Sequence, residues 1–351
     1  MGEVQIPHNA AVIGEAETRA VVDVLSSGWI AQGEKVAALE EAFVAHHDGG
    51  SACALSSGSA AIAVALRALG SEPTWRIAVP TYACTALLNA VHLVGARPIV
   101  VDINPDTWNV AFHSDLAGVD AAILVAIYGA AVDLEDWFSA SVAVVEDCCH
   151  SVRSTIPRHM ESGTRHAAVF SFYASKPITS GQGGMIWSLE PTIAATAREL
   201  REFDGSRDYD RRFNFSMTDI QAVIALEQMR RFEAIRARRR WIADSYDSAL
   251  DGRPEISRNH VGSDALRYRY VLKFQTAHVA HRFVEHCSSR GIRAIVPIAP
   301  EELLHRVVGL SPGRFPVAEE LARTTVSLPL HLGLSDGDVR RISEAVAEFA
   351  T

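Results

Sequence analysis

Three short segments of the chain carry residue types that could do chemistry together. In the first, Ser57, Gly58 and Ser59 follow a strand-like apolar run that ends at Leu55, and they precede a helical pattern. Bare backbone N–H groups and hydroxyls would then meet at a helix N-terminus, an arrangement that suits a phosphate group. The plainer alternative is that Ser57 only caps the helix.

The second segment, residues 144–150, has the sequence VVEDCCH. Two β-branched residues lead into paired carboxylates, and ligands of open α/β sheets bind at the carboxyl ends of strands. Asp147 at such an end could hold a positively charged nitrogen heterocycle. Adjacent cysteines lack the usual spacing of zinc ligands, so buried structural thiols are favoured and no metal is predicted.

The third segment contains Lys176. This lysine lies between an apolar strand end at 170–172 and a glycine-rich turn at 181–184 that leads into another apolar run. A surface position is the ordinary expectation for a lysine. An amine in apolar surroundings, however, can act as a nucleophile and form a Schiff base, and the glycines permit close approach of the backbone to a ligand.

Together the three segments supply the parts that pyridoxal 5'-phosphate requires. Lys176 would carry the covalent link to the cofactor, and Asp147 would keep the pyridine nitrogen protonated so that the ring can accept electrons. The glycine patterns of dinucleotide-binding folds and of P-loops are absent from the corresponding positions. The sequence therefore predicts pyridoxal 5'-phosphate as the cofactor.

The elements that must position these residues alternate in type. Short Val/Ile-rich runs predict strands at 51–55, 76–79, 97–101, 122–127, 143–145, 167–170 and 185–188. Amphipathic patterns predict helices at 15–26, 34–46, 59–69, 83–94 and 133–140. This alternation indicates a three-layer α/β domain with a mainly parallel, seven-stranded sheet.

The pattern changes after residue 217. Residues 218–250 contain no internal glycine or proline and predict one long amphipathic helix. Beyond it, strands near 267–274 and 291–297 and helices near 277–289 and 336–349 indicate a smaller α+β domain. We therefore predict a large cofactor-binding domain with an N-terminal arm at 1–235 and a small domain at 236–351, joined by the long helix.

Composition restricts the possible functions. The 351 residues are 48% hydrophobic and 21% charged, an ordinary globular mixture, and the formal net charge is −9. Binding of nucleic acid or of an anionic membrane is disfavoured because either needs a surplus of basic residues. No apolar stretch is long enough to span a membrane, and five cysteines are too few for a disulfide framework. A cytoplasmic location is predicted.

The chain resembles the fold-type-I pyridoxal phosphate enzymes of the DegT/DnrJ/EryC1/StrS group, the sugar aminotransferases. The resemblance covers nearly the whole chain. It is carried by ordered motifs: SGWI at 27–30, LSSGSAA at 55–61, GARP at 95–98, ED at 146–147, SF at 171–172 with Lys176, GQGG at 181–184, FNF at 213–215, MTD at 217–219 and SLPLH at 327–331.

The resemblance implies roles for individual residues. Lys176 and Asp147 would be the catalytic pair, and the implied cofactor contacts are Gly58, Ser59, Ala60, Cys84, Asp147, His150, Ser171, Lys176 and Asn214. Substrate contacts are implied for Trp29, Tyr82 and Tyr128. Asn214 matches a residue that reaches the phosphate in the neighbouring subunit, so a homodimer with shared active sites is expected.

Several positions depart from the family pattern. Cys84 stands where an aromatic ring usually covers the cofactor, with Tyr82 two residues earlier, and either could face the ring. Proline follows the lysine where asparagine is usual, and Ser216 replaces an arginine. Five arginines could contact a substrate phosphate or a donor carboxylate, although surface ion pairing is favoured for each of them: Arg201, Arg207, Arg211, Arg267 and Arg269.

The implied activity is transfer of an amino group from an amino acid, glutamate or glutamine, to a keto sugar on a nucleotide carrier or to a keto cyclitol in antibiotic or glycan biosynthesis. One alternative keeps the cofactor but changes the reaction to dehydration, racemisation or lyase chemistry. Another is a cofactor-retaining regulatory protein without turnover, against which the retained Lys176 and Asp147 argue.

Overall fold

A seven-stranded sheet forms the centre of the chain. The structure is a computed structural model that describes residues 5–113, 116–157, 160, 164–205, 208–258, 261–262 and 265–350. The strands are β1 (Ser51–Leu55), β2 (Arg76–Pro80), β3 (Arg97–Val101), β4 (Ala121–Val125), β5 (Ala143–Asp147), β6 (His166–Ser171) and β7 (Gly184–Ser188). Their order is β1-β7-β6-β5-β4-β2-β3, and only β7 runs against the others. The predicted sheet is confirmed.

The reversed direction of β7 brings its first residue to the edge where the other strands end. Gly184 pairs with Leu55 of β1 on one side and with Ser171 of β6 on the other. Asp147, the last residue of β5, pairs with Val169 of β6. The turn after β1, the end of β5 and the connection between β6 and β7 therefore meet at one edge.

Helices cover both faces of the sheet. Successive strand residues point to opposite faces, so each strand contributes side chains to two cores. Cys53 and Leu55 join the core under one helical layer, whereas Ala52 and Ala54 join the core under the other. The helices in this part are α1 (Glu15–Ser27), α2 (Glu34–His46), α3 (Gly58–Ala68), α4 (Ala86–Leu93), α5 (Glu135–Ser139), α6 (Pro191–Arg201) and α7 (Asp219–Arg230). The three-layer prediction is confirmed.

The single helix predicted over 218–250 is wrong. Helix α7 ends at Arg230, and a second helix, α8 (Phe232–Ala249), follows, with Arg231 between them at φ −106° and ψ 19°. The Arg231 guanidinium forms an ion pair of 2.6 Å with the fully buried Glu17 and also donates to the Val12 carbonyl. Contacts with the N-terminal part of the chain therefore coincide with the break.

The C-terminal part contains β8 (Ser257–Arg258), β9 (Tyr270–Lys273), β10 (Thr325–Leu328), α9 (Ala277–Ser288), α10 (Leu304–Val307), α11 (Pro316–Thr324) and α12 (Asp336–Glu348). Its three strands form an antiparallel sheet in the order β10-β9-β8. The strand predicted near 291–297 is wrong, since only isolated bridges occur there, at Ile292 and Ile295.

The division at residues 235 and 236 stays a prediction. A separate hydrophobic cluster formed by Ile6 and side chains between 242 and 349 supports it. Among the described residues, no helix combines the length and the apolar character needed to cross a membrane.

A buried ionic network joins the end of β2 to the C-terminal part. The Thr81 hydroxyl lies 2.7 Å from His305 Nδ1, and His305 Nε2 lies 3.1 Å from Glu319 Oε1. Glu319 also pairs with Arg306 and Arg323. The hydrogen bond from Arg306 lowers the pKa of Glu319 to about 2, and Arg323 and His305 contribute less, against the opposing effect of burial.

We expect Glu319→Gln to lower the free energy of unfolding by about 2 kcal/mol near neutral pH. Glu319 stays ionised in the folded chain down to about pH 2, but its ordinary pKa is 4.5. The stabilisation is therefore present above the ordinary pKa and lost as the pH falls towards 2. Urea unfolding across this range measures it. The exposed Glu285→Gln is the control, and a pH-independent difference would contradict the assignment.

Candidate active site

A cavity of about 430 Å³ opens at the edge where the parallel strands end. Its volume suits a small organic ligand. Eight of the cofactor and substrate contacts implied by the resemblance line it: Gly58, Ser59, Cys84, Tyr128, Asp147, His150, Ser171 and Lys176. Three further charged or aromatic residues of the wall come from the C-terminal part: Tyr268, Arg269 and Glu302.

One wall of the cavity is the start of helix α3. Ser57 caps this helix, and its hydroxyl accepts a hydrogen bond of 3.1 Å from the Ala60 N–H. The N–H groups of Gly58 and Ser59 lie in the first turn, which has no preceding helical carbonyls to bind them. These two groups and the Ser171 hydroxyl can hold a phosphate, whereas the Ala60 N–H is already used and Ala60 lies outside the cavity wall.

Glycine is required where this wall meets the sheet. A Cβ atom on Gly184 would lie 2.3 Å from the Ser57 carbonyl oxygen and 2.8 Å from the Gly58 nitrogen, both backbone atoms that cannot swing aside. A Cβ on Gly58 would lie 2.9 Å from the Ser171 Cβ. The cradle therefore keeps its shape only with glycine at these two positions.

We expect Gly184→Ala to shift the turn at 57–58, to lower stability by about 1–3 kcal/mol and to weaken cofactor binding at least tenfold. Thermal unfolding of the cofactor-free chain and absorbance titration with pyridoxal phosphate measure the two effects. Gly313→Ala is the matched control, because the added atom would meet nothing closer than 3.9 Å. Normal cofactor affinity in Gly184→Ala would contradict the role of this cradle.

Asp147 ends strand β5 inside the cavity wall. Its side chain is 6% exposed, and its Oδ1 accepts a hydrogen bond of 2.9 Å from the Cys149 N–H. This bond fixes the direction of the carboxylate, whose negative charge can stabilise a positive ring nitrogen. The neighbouring Cys148 is fully buried in the core, and burial raises the pKa of its thiol.

Glu146, next to Asp147, points into a separate polar network. It is fully buried and accepts hydrogen bonds from the Thr155 N–H and hydroxyl, at 2.8 and 2.6 Å, and from the Ser154 hydroxyl, and it lies 3.1 Å from His166 Nε2. These partners stabilise its charge and lower its pKa despite burial, which by itself raises it. Glu146 thus anchors the end of β5 while Asp147 faces the cavity.

Three stacked rings form another part of the wall. The His150 ring lies 4.2 Å from the Tyr268 ring and 5.9 Å from the Tyr128 ring, and all three are nearly parallel. The Tyr128 N–H donates to His150 Nδ1 at 3.3 Å. Burial, together with the charges of Lys176 and Arg269, holds the pKa of His150 well below 6.5. The imidazole is therefore neutral, and its proton is on Nε2, available as a donor.

Tyr128 has a backbone conformation that side chains rarely adopt, with φ 54° and ψ 14°. Its carbonyl accepts a hydrogen bond from the Tyr268 N–H, and its hydroxyl donates to Tyr82. Strained conformations of this kind persist where the surroundings hold them and occur often at functional sites. Tyr128 thus fixes both His150 and Tyr268.

Lys176 differs from the other lysines of the chain. The sequence has three lysines, and Lys35 and Lys273 form ion pairs of 2.8 Å with Glu34 and Glu320. Among the described residues, Lys176 has no carboxylate partner within 4 Å, and its amine lies 4.8 Å from the centre of the Tyr268 ring. Burial alone would raise the pKa of Tyr268, but the charges of Lys176 and Arg269 lower it below 10.

Besides Ala60, three of the predicted contacts lie outside the cavity wall. Tyr82 is fully buried outside the cavity wall, where its hydroxyl contacts Thr325 and Tyr128, so Cys84 rather than Tyr82 faces the cavity. Trp29 is 62% exposed and lines a different cavity with Asp219. Asn214 is exposed and lies outside this cavity.

Of the four candidate arginines that the structure describes, only Arg269 lines the cavity. Arg201 pairs with Glu40, and Arg267 pairs with Asp247. Arg211 lines a separate groove, and Arg207 lies outside the described residues. Sequence motifs gave no signal for Tyr268 or Glu302, because both reach the site from the C-terminal part.

The residues present fit pyridoxal 5'-phosphate. A helix start that admits no added Cβ can hold the phosphate, a buried carboxylate can hold the ring nitrogen, and a neutral His150 can donate to the ring oxygen. The amine of Lys176 faces the same cavity and can form the covalent link.

Comparisons with known proteins agree with this arrangement. The profile of the DegT/DnrJ/EryC1/StrS aminotransferase family matches residues 11–347. The spore coat polysaccharide biosynthesis protein SpsC of Bacillus subtilis is 27% identical over an alignment of 379 positions, which covers 98% of this chain and 97% of SpsC.

Solved structures show the same fold. The aminotransferase TlmJ of Streptoalloteichus hindustanus superposes with a TM-score of 0.87 at 26% identity, over 97% of this chain and 98% of TlmJ. The PLP form of the putative sugar aminotransferase Spr1654 of Streptococcus pneumoniae gives 0.87 at 26% identity, over 98% of both chains. The chain belongs to the DegT/DnrJ/EryC1/StrS aminotransferase family and is a PLP-dependent aminotransferase with pyridoxal 5'-phosphate as its cofactor.

Proposed function

We propose that the enzyme moves an amino group from glutamate or glutamine to a keto sugar carried on a nucleotide or to a keto cyclitol, in antibiotic or glycan biosynthesis. The observation that carries the proposal is the cavity that joins Lys176, Asp147 and the start of α3 with a wall from the C-terminal part. The family match and the similarity to a polysaccharide biosynthesis protein support the sugar-like acceptor.

Each residue would have a defined task. When bound, pyridoxal phosphate supplies an aldehyde that links to amines and a ring that accepts electrons. The N–H groups of Gly58 and Ser59 would hold its phosphate, and Asp147 would hold the protonated ring nitrogen. The amine of Lys176 would accept a proton from the donor's α-carbon and later return one to the acceptor's carbon. The Tyr268 ring beside that amine would exclude water.

A half-reaction assay tests the function. Holoenzyme mixed with L-glutamate alone should convert to the pyridoxamine form, with loss of visible absorbance and release of 2-oxoglutarate. The pyridoxamine form is then screened against nucleotide-linked keto sugars and keto cyclitols for return of that absorbance. A dehydratase, racemase or lyase would leave the cofactor unconverted, and this result with both glutamate and glutamine would refute the proposal.

We also propose that two subunits share their active sites in a cytoplasmic homodimer. Asn214 and Trp29 are exposed and lie outside their own chain's Lys176 cavity, which supports a contact across a dimer. All five cysteines are free, in keeping with a reducing compartment.

Subunit mixing tests the sharing. Lys176→Ala and Asn214→Ala should each be inactive alone, and exchange of their subunits should restore activity in the one site that combines both intact residues. No recovery after proven exchange would contradict it.

A further inference from the structure

One guanidinium group in the cavity has no counter-charge. Four charged side chains line the cavity wall: Asp147, Lys176, Arg269 and Glu302. Among the described residues, Arg269 forms no ion pair within 4 Å, unlike its neighbour Arg267, which pairs with Asp247. The Nη1 atom of Arg269 is also buried without a hydrogen-bond partner. A buried N–H group without a hydrogen-bond partner lowers stability, so we expect a ligand to accept this hydrogen bond.

Arg269 and the reactive amine lie near the same aromatic ring. Its guanidinium carbon is 5.4 Å from the centre of the Tyr268 ring, and the Lys176 amine is 4.8 Å from the same centre. Both cations therefore lie close to one aromatic ring, and both line the same cavity, so a small molecule could engage both of them at once.

The backbone around Arg269 is held in place before any ligand binds. The buried Arg239 donates to the carbonyls of Arg267 and Tyr268, at 2.9 and 2.6 Å, and the Tyr268 N–H donates to Tyr128. Such preorganisation lowers the entropic cost of binding.

Among the described residues, the groups near Arg269 do not pair with it. The two carboxylates of the wall, Asp147 and Glu302, form no ion pair with Arg269 within 4 Å and instead accept hydrogen bonds from the Cys149 and Ala299 N–H groups. His8, across a small gap under the N-terminal arm, has its pKa lowered to about 3, first by burial and then by the Arg269 charge, so it is neutral. Lys176 adds a second positive charge. An unpaired guanidinium with a second cation in the same wall suits an anionic ligand.

We propose that Arg269 binds a carboxylate of the amino-acid donor. The planar guanidinium can form two parallel hydrogen bonds with a carboxylate. In an amino acid, the α-carboxylate is bonded directly to the carbon that bears the reacting amine. The diphosphate of a nucleotide-linked sugar is separated from the reacting ketone by the sugar ring, so it fits this short spacing less well. The inference rests on the proposed function, since it assumes an amino-acid donor.

The test measures binding of glutarate, which has the carboxylates of a donor but no amine to react. Calorimetric titration of the holoenzyme should give a Kd that is about 10- to 100-fold weaker in Arg269→Gln than in the unaltered enzyme. Arg269→Lys keeps the positive charge but cannot form the two parallel hydrogen bonds, and we expect a Kd between those of the unaltered enzyme and Arg269→Gln. Arg267→Gln is the matched control and should bind glutarate normally. The absorbance of the bound cofactor checks that each variant is folded and loaded.

The outcomes separate this inference from the proposed function. Equal glutarate affinity in Arg269→Gln, an equal loss in Arg267→Gln, or no glutarate binding by the unaltered enzyme would overturn the role of Arg269. Conversion of the unaltered holoenzyme by L-glutamate is measured in parallel and tests the proposed function alone. A loss in Arg269→Gln confined to the keto-acceptor half-reaction would also overturn the inference, because it would place the acceptor there.

Discussion

Replacement of Lys176 by alanine is expected to slow conversion of the cofactor by L-glutamate by about 10⁴-fold. Lys176 is the lysine of the cavity wall. Among the described residues of that wall, the other nitrogen base is the His150 imidazole, and its Nδ1 already accepts a hydrogen bond from the Tyr128 N–H. No other amine or imidazole of the wall could therefore replace Lys176 in moving the proton. Rapid-mixing absorbance measurements give the rate. Lys273→Ala, which removes an ion-paired lysine, should leave it unchanged.

Covalent trapping provides a second measurement on the same lysine. Borohydride reduction of the holoenzyme should add the cofactor's mass to the peptide that contains Lys176. Because the chain has only three lysines, peptide mass spectrometry can assign the adduct without ambiguity. An adduct on Lys35 or Lys273, or full turnover by Lys176→Ala, would refute the assignment.

Substitution of Asp147 by asparagine should slow the same half-reaction by about 100-fold and weaken cofactor binding. The carboxylate would no longer stabilise the positive charge on the ring nitrogen, and a charge-assisted hydrogen bond is worth about 1.5–3 kcal/mol. The bond from the Cys149 N–H to Oδ1 can persist in asparagine, so the local fold should survive.

The control for Asp147 lies at the opposite edge of the sheet. Asp120 precedes β4 and accepts a hydrogen bond of 2.7 Å from the Arg76 N–H. Asp120→Asn should retain the full rate, although it too removes one carboxylate from the sheet. A normal rate in Asp147→Asn, with the absorbance maximum of the cofactor unshifted, would show that Asp147 does not contact the ring.

The central sheet could be predicted from sequence because its strands are buried on both faces and form uninterrupted apolar runs. The break at Arg231 could not be predicted, because it carries no glycine or proline and coincides with contacts to Glu17 and Val12, more than 200 positions earlier in the chain. The predicted strand near 291–297 has apolar residues of suitable type, but its neighbours form only single bridges.

The site residues likewise divide into those that the sequence could predict and those that it could not. Asp147 and Ser171 end strands, and Gly58 and Lys176 follow strands, at one shared edge of the sheet, so local patterns were enough to bring them together. Tyr268 and Glu302 enter the site from the C-terminal part. Arg269 was one of several equivalent candidates by sequence, and its place in the cavity wall distinguishes it from the other described candidates.

The reversed direction of β7 affects how the loop around Lys176 can change in length. A connection between parallel strands must cross to the far edge of the sheet, so an insertion there usually alters a helix or its packing. The connection from β6 to β7 begins and ends beside the cavity. Phe172 and Ile178 of this connection belong to the core, but positions 173–174 and 181–182 are exposed. Residues could therefore be added or removed at these exposed positions without disturbing the layers, which gives evolution a simple means of adjusting the reach of the nucleophile.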